Sequence, residues 1–421
     1  MKTYQILIPC SLLALLIFAQ STAPPQSEGS WERKQLTDNF WAEGAAAGDV
    51  DKDGAIDLVY GPYWFAGPDF ENRHTIYPDK VRTKTTLVSG GKGQIEGFHG
   101  AKSKKNGYSD NFAALMTDVN ADGWEDYLVA GFPGKETFWY ENPQGAEGLW
   151  KRRVALDVTE NESPMFVDVD GDGQVDLLCM RKGVIGYASF DAETPEEPWA
   201  WHPVSPNNKY MKFTHGLGAG DVNGDGRNDI LEGHGWWEQP ESLEGDPVWE
   251  FHPQQFREEA DKPNVGGAQM FAYDVNGDGL NDVITALNAH GYGLAWFEQK
   301  GDGWVKHLIT GTPDDAGGTG VVFSQPHALE MKDMNGDGVE DIVTGKRFWA
   351  HGSHGDPESN APALVLWFEL KRDGKEATFV PHLIDADSGV GTQVFVGDLN
   401  GDGKADVFCG NKRGAFVHLQ K

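Results

Sequence analysis

The sequence predicts an all-β chain: a seven-bladed β-propeller with a calcium loop in each blade, closed by the N-terminal strand joining the last blade. Three observations predict it. A nine-residue pattern, D-x-[DN]-x-D-G-x-x-D, occurs seven times, starting at Asp49, Asp118, Asp168, Asp221, Asp274, Asp333 and Asp398. The copies lie 69, 50, 53, 53, 59 and 65 residues apart, and repeats of about 40–50 residues with four short strands indicate propeller blades. The last unit is one strand short, and a strand-like segment stands spare at the other end.

The loops come first because their chemistry is readable residue by residue. Positions one, three, five and nine offer side-chain oxygens. In chain order these are Asp49, Asp51, Asp53, Asp57; Asp118, Asn120, Asp122, Asp126; Asp168, Asp170, Asp172, Asp176; and Asp221, Asn223, Asp225, Asp229. Asp274, Asn276, Asp278, Asp282; Asp333, Asn335, Asp337, Asp341; and Asp398, Asn400, Asp402, Asp406 complete the set. Position seven adds a backbone carbonyl. Calcium takes six to eight hard oxygens in flexible geometry, which this spacing supplies. Glycine at position six permits the sharp turn. The bidentate Glu of an EF-hand is missing at position twelve, where Tyr60, Val129 and Thr285 stand. An apolar strand such as Val283-Ile284 follows instead of a helix. Up to seven structural calcium ions are expected.

The remaining strands follow in order. An apolar strand enters each loop (Phe112–Met116, Met270–Tyr273) and a second leaves it. A third carries aromatic-aromatic-Glu: Trp139-Tyr140-Glu141, Trp236-Trp237-Glu238, Trp296-Phe297-Glu298, Trp367-Phe368-Glu369. A fourth is amphipathic, as in Trp304–Leu308 and Phe379–Leu383. After the last loop only two strands remain, so Trp31–Leu36 is expected to complete that blade and remove an open sheet edge. Tryptophans in such strands pack between blades.

On these loops the chain resembles the FG-GAP/VCBS repeat family over residues 31–421, whose propellers include the integrin α-subunit head. The resemblance implies the fold and the calcium sites. It does not fix function, because the family hosts adhesion modules, lectin-like proteins and some carbohydrate lyases.

Composition narrows the class. Lys2 precedes an apolar run from Ile6 to Phe18, too short to span a bilayer, then small residues Ala19, Ser21 and Ala23. Residues 1–23 read as a secretory signal cut after Ser21 or Ala23, with 24–30 a short linker. An uncleaved anchor is the alternative. A secreted or periplasmic location is expected. The net charge is −30, and −31 once the leader's single Lys is removed. Twenty-three acids sit in the loops, so much of the acidity is metal site. The rest argues against nucleic acid and anionic membranes. Cys179 and Cys409 follow the same loop position in different units and read as buried thiols, with no disulfide framework. A monomer is expected.

Ring geometry turns register into proximity. Six residues before each loop stand Glu43, Phe112, Glu162, His215, Ala268, His327 and Thr392. If first strands line a channel, these meet at its axis, beside Asn111, Ser163, Gln269 and Gln393. Connections between second and third strands reach the same face and carry Tyr63, Arg181, Lys182, His234, His290, Lys346, Arg347, His351, His354, Lys412 and Arg413. An insertion over 80–110, with Glu96 and His99, has the length of a lid.

Imidazoles and carboxylates there can share a second, catalytic metal such as zinc, or act directly as acid and base. His215, His327, His234 and His290 are the expected bases or ligands. Glu43 and Glu162 are expected ligands or proton carriers. Arg181, Lys182, Lys346, Arg347, Lys412, Arg413, His351, Asn111 and Gln269 are expected to hold substrate. No nucleophile elbow, phosphate loop or dinucleotide motif is visible, so sugar elimination or dehydration suits the groups present. Gly233-His234-Gly235-Trp236-Trp237-Glu238 and the inner histidines also resemble the propeller of aldos-2-ulose dehydratases, which implies keto-sugar substrates. The rival is a non-catalytic module binding a glycan or an extracellular protein. A purely structural propeller in an envelope assembly would expose large apolar patches, which this composition does not suggest.

Overall fold

The computed structural model describes residues 30–78, 108–258, 266–301 and 303–421. The expected leader, Glu96, His99 and nearly all of the 80–110 insertion lie outside the described residues. Among the described residues the chain is all strand and turn, with no helix.

Antiparallel strands repeat in fours, each set a local meander. Ala46–Gly48, Asp57–Tyr60, Tyr63–Phe65 and Arg73–Thr75 form one sheet. Pro326–Lys332, Asp341–Lys346, Val365–Asp373 and Glu376–Asp385 form another. Two larger sheets each hold two such sets. In one, Lys151–Val167 runs 17 residues without a break, serving as outer strand of one set and inner strand of the next. The sequence had suggested two separate strands there. In the other, Leu217 and Gly218 pair in parallel with Gln269 and Met270. A Cβ on Gly218 would stand 2.0 Å from the Met270 carbonyl oxygen, so glycine is what lets those inner strands meet. In the remaining sheet, Trp31–Thr37 pairs antiparallel with Gly414–Gln420, beside Asp406–Asn411 and Val394–Gly397.

Apolar faces pack set against set. Val59 and Trp64 meet Tyr127 and Tyr140; Leu128 and Trp139 meet Leu177 and Trp199. Leu178 and Tyr187 meet Ile230 and Trp237, and Leu231 and Trp236 meet Val283 and Phe297. Ile284 and Trp296 meet Ile342 and Phe368; Val343 and Trp367 meet Val407 and Phe416. Phe408 and Val417 then pack on Leu58 and Tyr60, near the chain's start. Cys179 and Cys409 are buried free thiols in this core.

The loop chemistry is uniform. Position-six glycines Gly54, Gly123, Gly173, Gly226, Gly279, Gly338 and Gly403 all have φ between +84° and +90°, a region closed to most side chains. The position-nine aspartates do more than the sequence suggested. One oxygen of each accepts the N–H of the residue after position one, as Asp282 does from Val275 at 3.0 Å. In six of the seven copies the other oxygen accepts an N–H on or just after the third strand, as Asp282 does from Gln299 at 2.8 Å. These carboxylates therefore stitch three strands together. Burial pushes them up, Asp57 and Asp229 to about 6, Asp126, Asp282 and Asp341 to about 7, and Asp176 to about 8. A nearby cation would offset that cost.

The aromatic-aromatic-Glu motif has an equally local reason. Trp236, Trp296 and Trp367 stack on cross-strand His252, His307 and His382 at 4.1–4.3 Å. Glu238, Glu298 and Glu369 hold the Nε2 atoms of those histidines at 2.7–3.1 Å. Arg153 takes the same place against Trp139 and Glu141.

Candidate functional site

The register argument sets the geometry. Glu162, His215 and His327 occupy equivalent positions at the starts of inner strands, and His290 arrives from the connection after Asp282–Ala286. Their ligand atoms all lie within 4.8 Å of one another. Glu162 Oε2 is 3.4 Å from His327 Nε2, 3.6 Å from His215 Nε2 and 3.9 Å from His290 Nε2. His215 Nε2 faces His290 Nε2 at 3.0 Å.

Those spacings fit a metal. A tetrahedron with bonds of about 2.0–2.1 Å has edges of roughly 3.3 Å. Neither ring nitrogen of fully buried His327 makes a hydrogen bond. Buried polar atoms are normally satisfied, so these mark groups waiting for a partner. The set of three imidazoles and one carboxylate suits zinc or a neighbouring divalent ion. Burial pushes His327 well below the ordinary histidine range, reinforced by the Arg347 charge, which keeps its ring neutral and ligand-competent. Burial pushes Glu162 upward, but the three imidazoles outweigh it and hold it well below the usual range.

Arg347 ties the cluster to Glu43. It is 1 % exposed, and its Nε donates to Glu43 Oε2 at 2.6 Å while Nη1 lies 3.3 Å from Glu162 Oε2. A cavity of about 230 Å³ opens beside the cluster, lined by Tyr108, Phe112, Phe132, Glu162, Phe213, His215, His290 and His351. Glu162, His215 and His290 line that cavity, and His327 does not. A larger cavity of about 630 Å³, lined by Trp41, Tyr140, Arg152 and Asp157 among others, includes no member of the cluster.

Other expected residues fall elsewhere. His234 is partly exposed and pairs with Glu232 at 3.0 Å. Arg181 and Lys182 both pair with Asp157. Arg413 pairs with Asp387. Asn111 donates to the Tyr127 hydroxyl at 2.6 Å, and Gln269 bridges inner strands through Thr392 and Leu329. The expected substrate cations Lys346, Arg347 and Lys412 are buried and already engaged. Lys346 donates to Ser324 Oγ and Lys412 to the Trp349 and Ala350 carbonyls. Burial depresses Lys346 to about 8 and Lys412 to about 7. Their positions just past a second strand put them inside the protein, where a cation must be paired.

Asp356 was not foreseen. Its Oδ1 accepts from His351 Nδ1 at 2.8 Å and lies 3.6 Å from His290 Nδ1. Burial pushes it upward, but His290 and His351 outweigh that and hold it far below the carboxylate range. Only the proximity of His351 in sequence hinted at it. The aromatics Tyr108, Phe132 and Phe213 also went unnoticed, being lone rings in connections.

Two of the seven acidic loops are gathered in the same way. Ligand atoms of Asp49, Asp51 and Asp53, and of Asp168, Asp170 and Asp176, cluster within 4.8 Å. Buried Asp49 Oδ1 makes no hydrogen bond. The residues present fit calcium.

Comparison with known proteins gives three findings. No curated protein matches the chain. Among solved structures, an Agrocybe aegerita lectin that recognises non-reducing terminal N-acetylglucosamine is 16 % identical, covering 86 % of this chain and 81 % of that one, with a TM-score of 0.44. AofleA from Arthrobotrys oligospora is 13 % identical over 79 % and 87 %, with a TM-score of 0.38. BBS1N in complex with ARL6DN is 10 % identical over 94 % and 98 %, with a TM-score of 0.46. Likenesses this distant carry no function across. FG-GAP-like repeats, in contrast, match residues 118–179, 274–344 and 333–409, each stretch holding two of the acidic loops. The chain carries FG-GAP-like repeats over these three stretches.

Proposed function

We propose that this protein is an extracytoplasmic, monomeric, calcium-loaded propeller that handles a carbohydrate at a divalent metal centre on its axis. Seven blades closed by Trp31–Thr37 account for the pairing of that strand with Gly414–Gln420 and for the packing of Phe408 on Leu58. Calcium at the seven loops is structural. Removing it with a chelator is expected to lower the melting temperature by more than about 10 °C, because each ion bound at a hundred times its Kd contributes about 2.7 kcal/mol. A melting curve unmoved by chelation and by added calcium counts against the loops as metal sites.

One observation carries the axial reading: four ligand atoms from Glu162, His215, His290 and His327 converge at metal-binding spacing beside an open cavity. His215, His290 and His327 hold the ion, and Glu162 completes the set. Elimination or dehydration of a keto sugar or uronide suits such a centre. With the three imidazoles as its ligands, a bound ion would supply Lewis-acid polarisation to a carbonyl oxygen, and Glu162 would take the proton from the neighbouring carbon as the oxygen on the next carbon leaves. The test is a product assay of calcium- and zinc-loaded protein on keto sugars, 3-keto glycosides and uronic-acid oligosaccharides, read by ultraviolet absorbance and mass. Turnover lost in His215→Ala supports the enzyme. No turnover across the panel, with or without zinc, removes the lyase.

A second reading is a glycan- or protein-binding module without catalysis. It is favoured by Lys346, Arg347 and Lys412 being engaged by protein groups rather than turned to a ligand. A glycan array then replaces the product assay.

A further inference from the structure

We propose that the cavity beside the axial cluster is a one-ring subsite, which takes the single terminal ring of a carbohydrate and not the interior of a chain. The proposal rests on the carbohydrate reading above and narrows it to a ligand shape.

The cavity has two unlike walls. One is polar: Glu162, His215, His290 and His351. The other is aromatic: Tyr108, Phe112, Phe132 and Phe213. The aromatic wall is continuous. Phe132 sits 5.4 Å from Tyr108, 5.5 Å from Phe112 and 5.8 Å from Phe213, centroid to centroid. Cations lie over three of these rings: Arg347 over Phe112 at 5.6 Å, Lys412 over Tyr108 at 4.6 Å and Lys212 over Phe213 at 4.7 Å. Each such contact occupies a ring face and fixes its tilt.

Ligand class follows from matching both walls at once. A wholly polar ion would leave the rings uncovered. A wholly apolar ligand would offer nothing to the Glu162 carboxylate and the imidazole edges, and covering polar groups with an apolar surface is costly. A sugar ring has what both walls ask for: an axial C–H face for the aromatics and hydroxyl or carbonyl oxygens along its edge for the cluster. Size then limits the number of rings. The cavity holds about 230 Å³, below the roughly 300–1,000 Å³ of sites that enclose larger ligands. Further residues of a chain would have to lie outside it.

The test is calorimetric titration of the full chain, loaded with calcium and zinc. The probes are D-glucuronate and 3-keto-D-glucose, each as a free ring and as the non-reducing end of a disaccharide and a tetrasaccharide. A one-ring subsite predicts that the best free ring binds within about threefold of its tetrasaccharide. Phe213→Ala should weaken that ring about tenfold by removing one stacking face. Phe213→Trp should abolish binding by filling the space. Zinc stoichiometry should stay unchanged in both. Affinity that climbs with each added ring, or sugar binding indifferent to both Phe213 variants and to Phe132→Ala, overturns the one-ring subsite and leaves the carbohydrate reading standing. No binding of any probe to the wild-type chain overturns both.

Discussion

The molecule uses histidine in two places with opposite results. On the outer strands, His252, His307 and His382 each have a carboxylate and a tryptophan face that no other histidine shares. At the axis, His215, His290 and His327 share one carboxylate, Glu162, which also faces Arg347. Burial does not separate the two sets, since His382 is as buried as His215, each 5 % exposed. Partner arithmetic does. An outer histidine is satisfied by its own blade, and the same device recurs because every blade needs a third strand pinned to a fourth. The axial imidazoles come from different units and cannot all be satisfied by one carboxylate. On the proposed reading a cation held between them would satisfy these nitrogens, and that would separate a histidine that holds the fold from one that holds a ligand.

The sharpest way to break the comparison is His215→Ala. It removes one of four ligands, and zinc affinity is expected to fall more than about a hundredfold, beyond what loss of a supporting group costs. Calcium-dependent melting should persist, since the loops lie on other connections. Zinc competition against a chromogenic chelator measures this, and substituted cobalt reports the coordination geometry. Unchanged zinc affinity would put the axial set in the same structural class as the outer one.

Asp356→Asn gives a smaller effect with more resolution. Its oxygen lies 3.6 Å from His290 Nδ1, on the ring edge opposite the cluster. A carboxylate there fixes a ligating imidazole and raises its basicity, so its loss should weaken zinc roughly 10–100-fold at unchanged stoichiometry. A second zinc lost in the variant would instead assign His290, His351 and Asp356 to a site of their own.

The loops and the outer clamps were legible in the sequence because they repeat. Asp274 and Asp333 announce the same turn, and Trp296-Phe297-Glu298 and Trp367-Phe368-Glu369 the same strand. Glu162, His215 and His327 were legible for a subtler reason: an equivalent register position holds a different residue in each unit, and the fold brings those residues together. What failed was the sign of the cations. Lys346, Arg347 and Lys412 read as loop residues facing a ligand, but each stands at or just past the end of its second strand and turns inward, onto Ser324, Glu43 and the Trp349 carbonyl. Asp356 and the aromatic wall were invisible for the converse reason. They lie in irregular connections where no period fixes direction, so only the folded chain brings Phe132 and Phe213 together.

The smallest expected effect tests the outer set by itself. His382→Ala removes a ring stacked on Trp367 at 4.1 Å and held by Glu369 at 3.1 Å. Loss of the stack and the hydrogen bond should cost about 1–2 kcal/mol of unfolding free energy. His307→Ala breaks the same contacts at a more exposed position, where water competes for Glu298, and should cost about half as much. Denaturant midpoints in saturating calcium measure both. Zinc binding should be untouched in either, because each histidine answers only to its own blade. A loss of axial zinc on changing His382 would mean that the blades are coupled through the sheet, and the separation between structural and ligand-seeking histidines would then be one of degree.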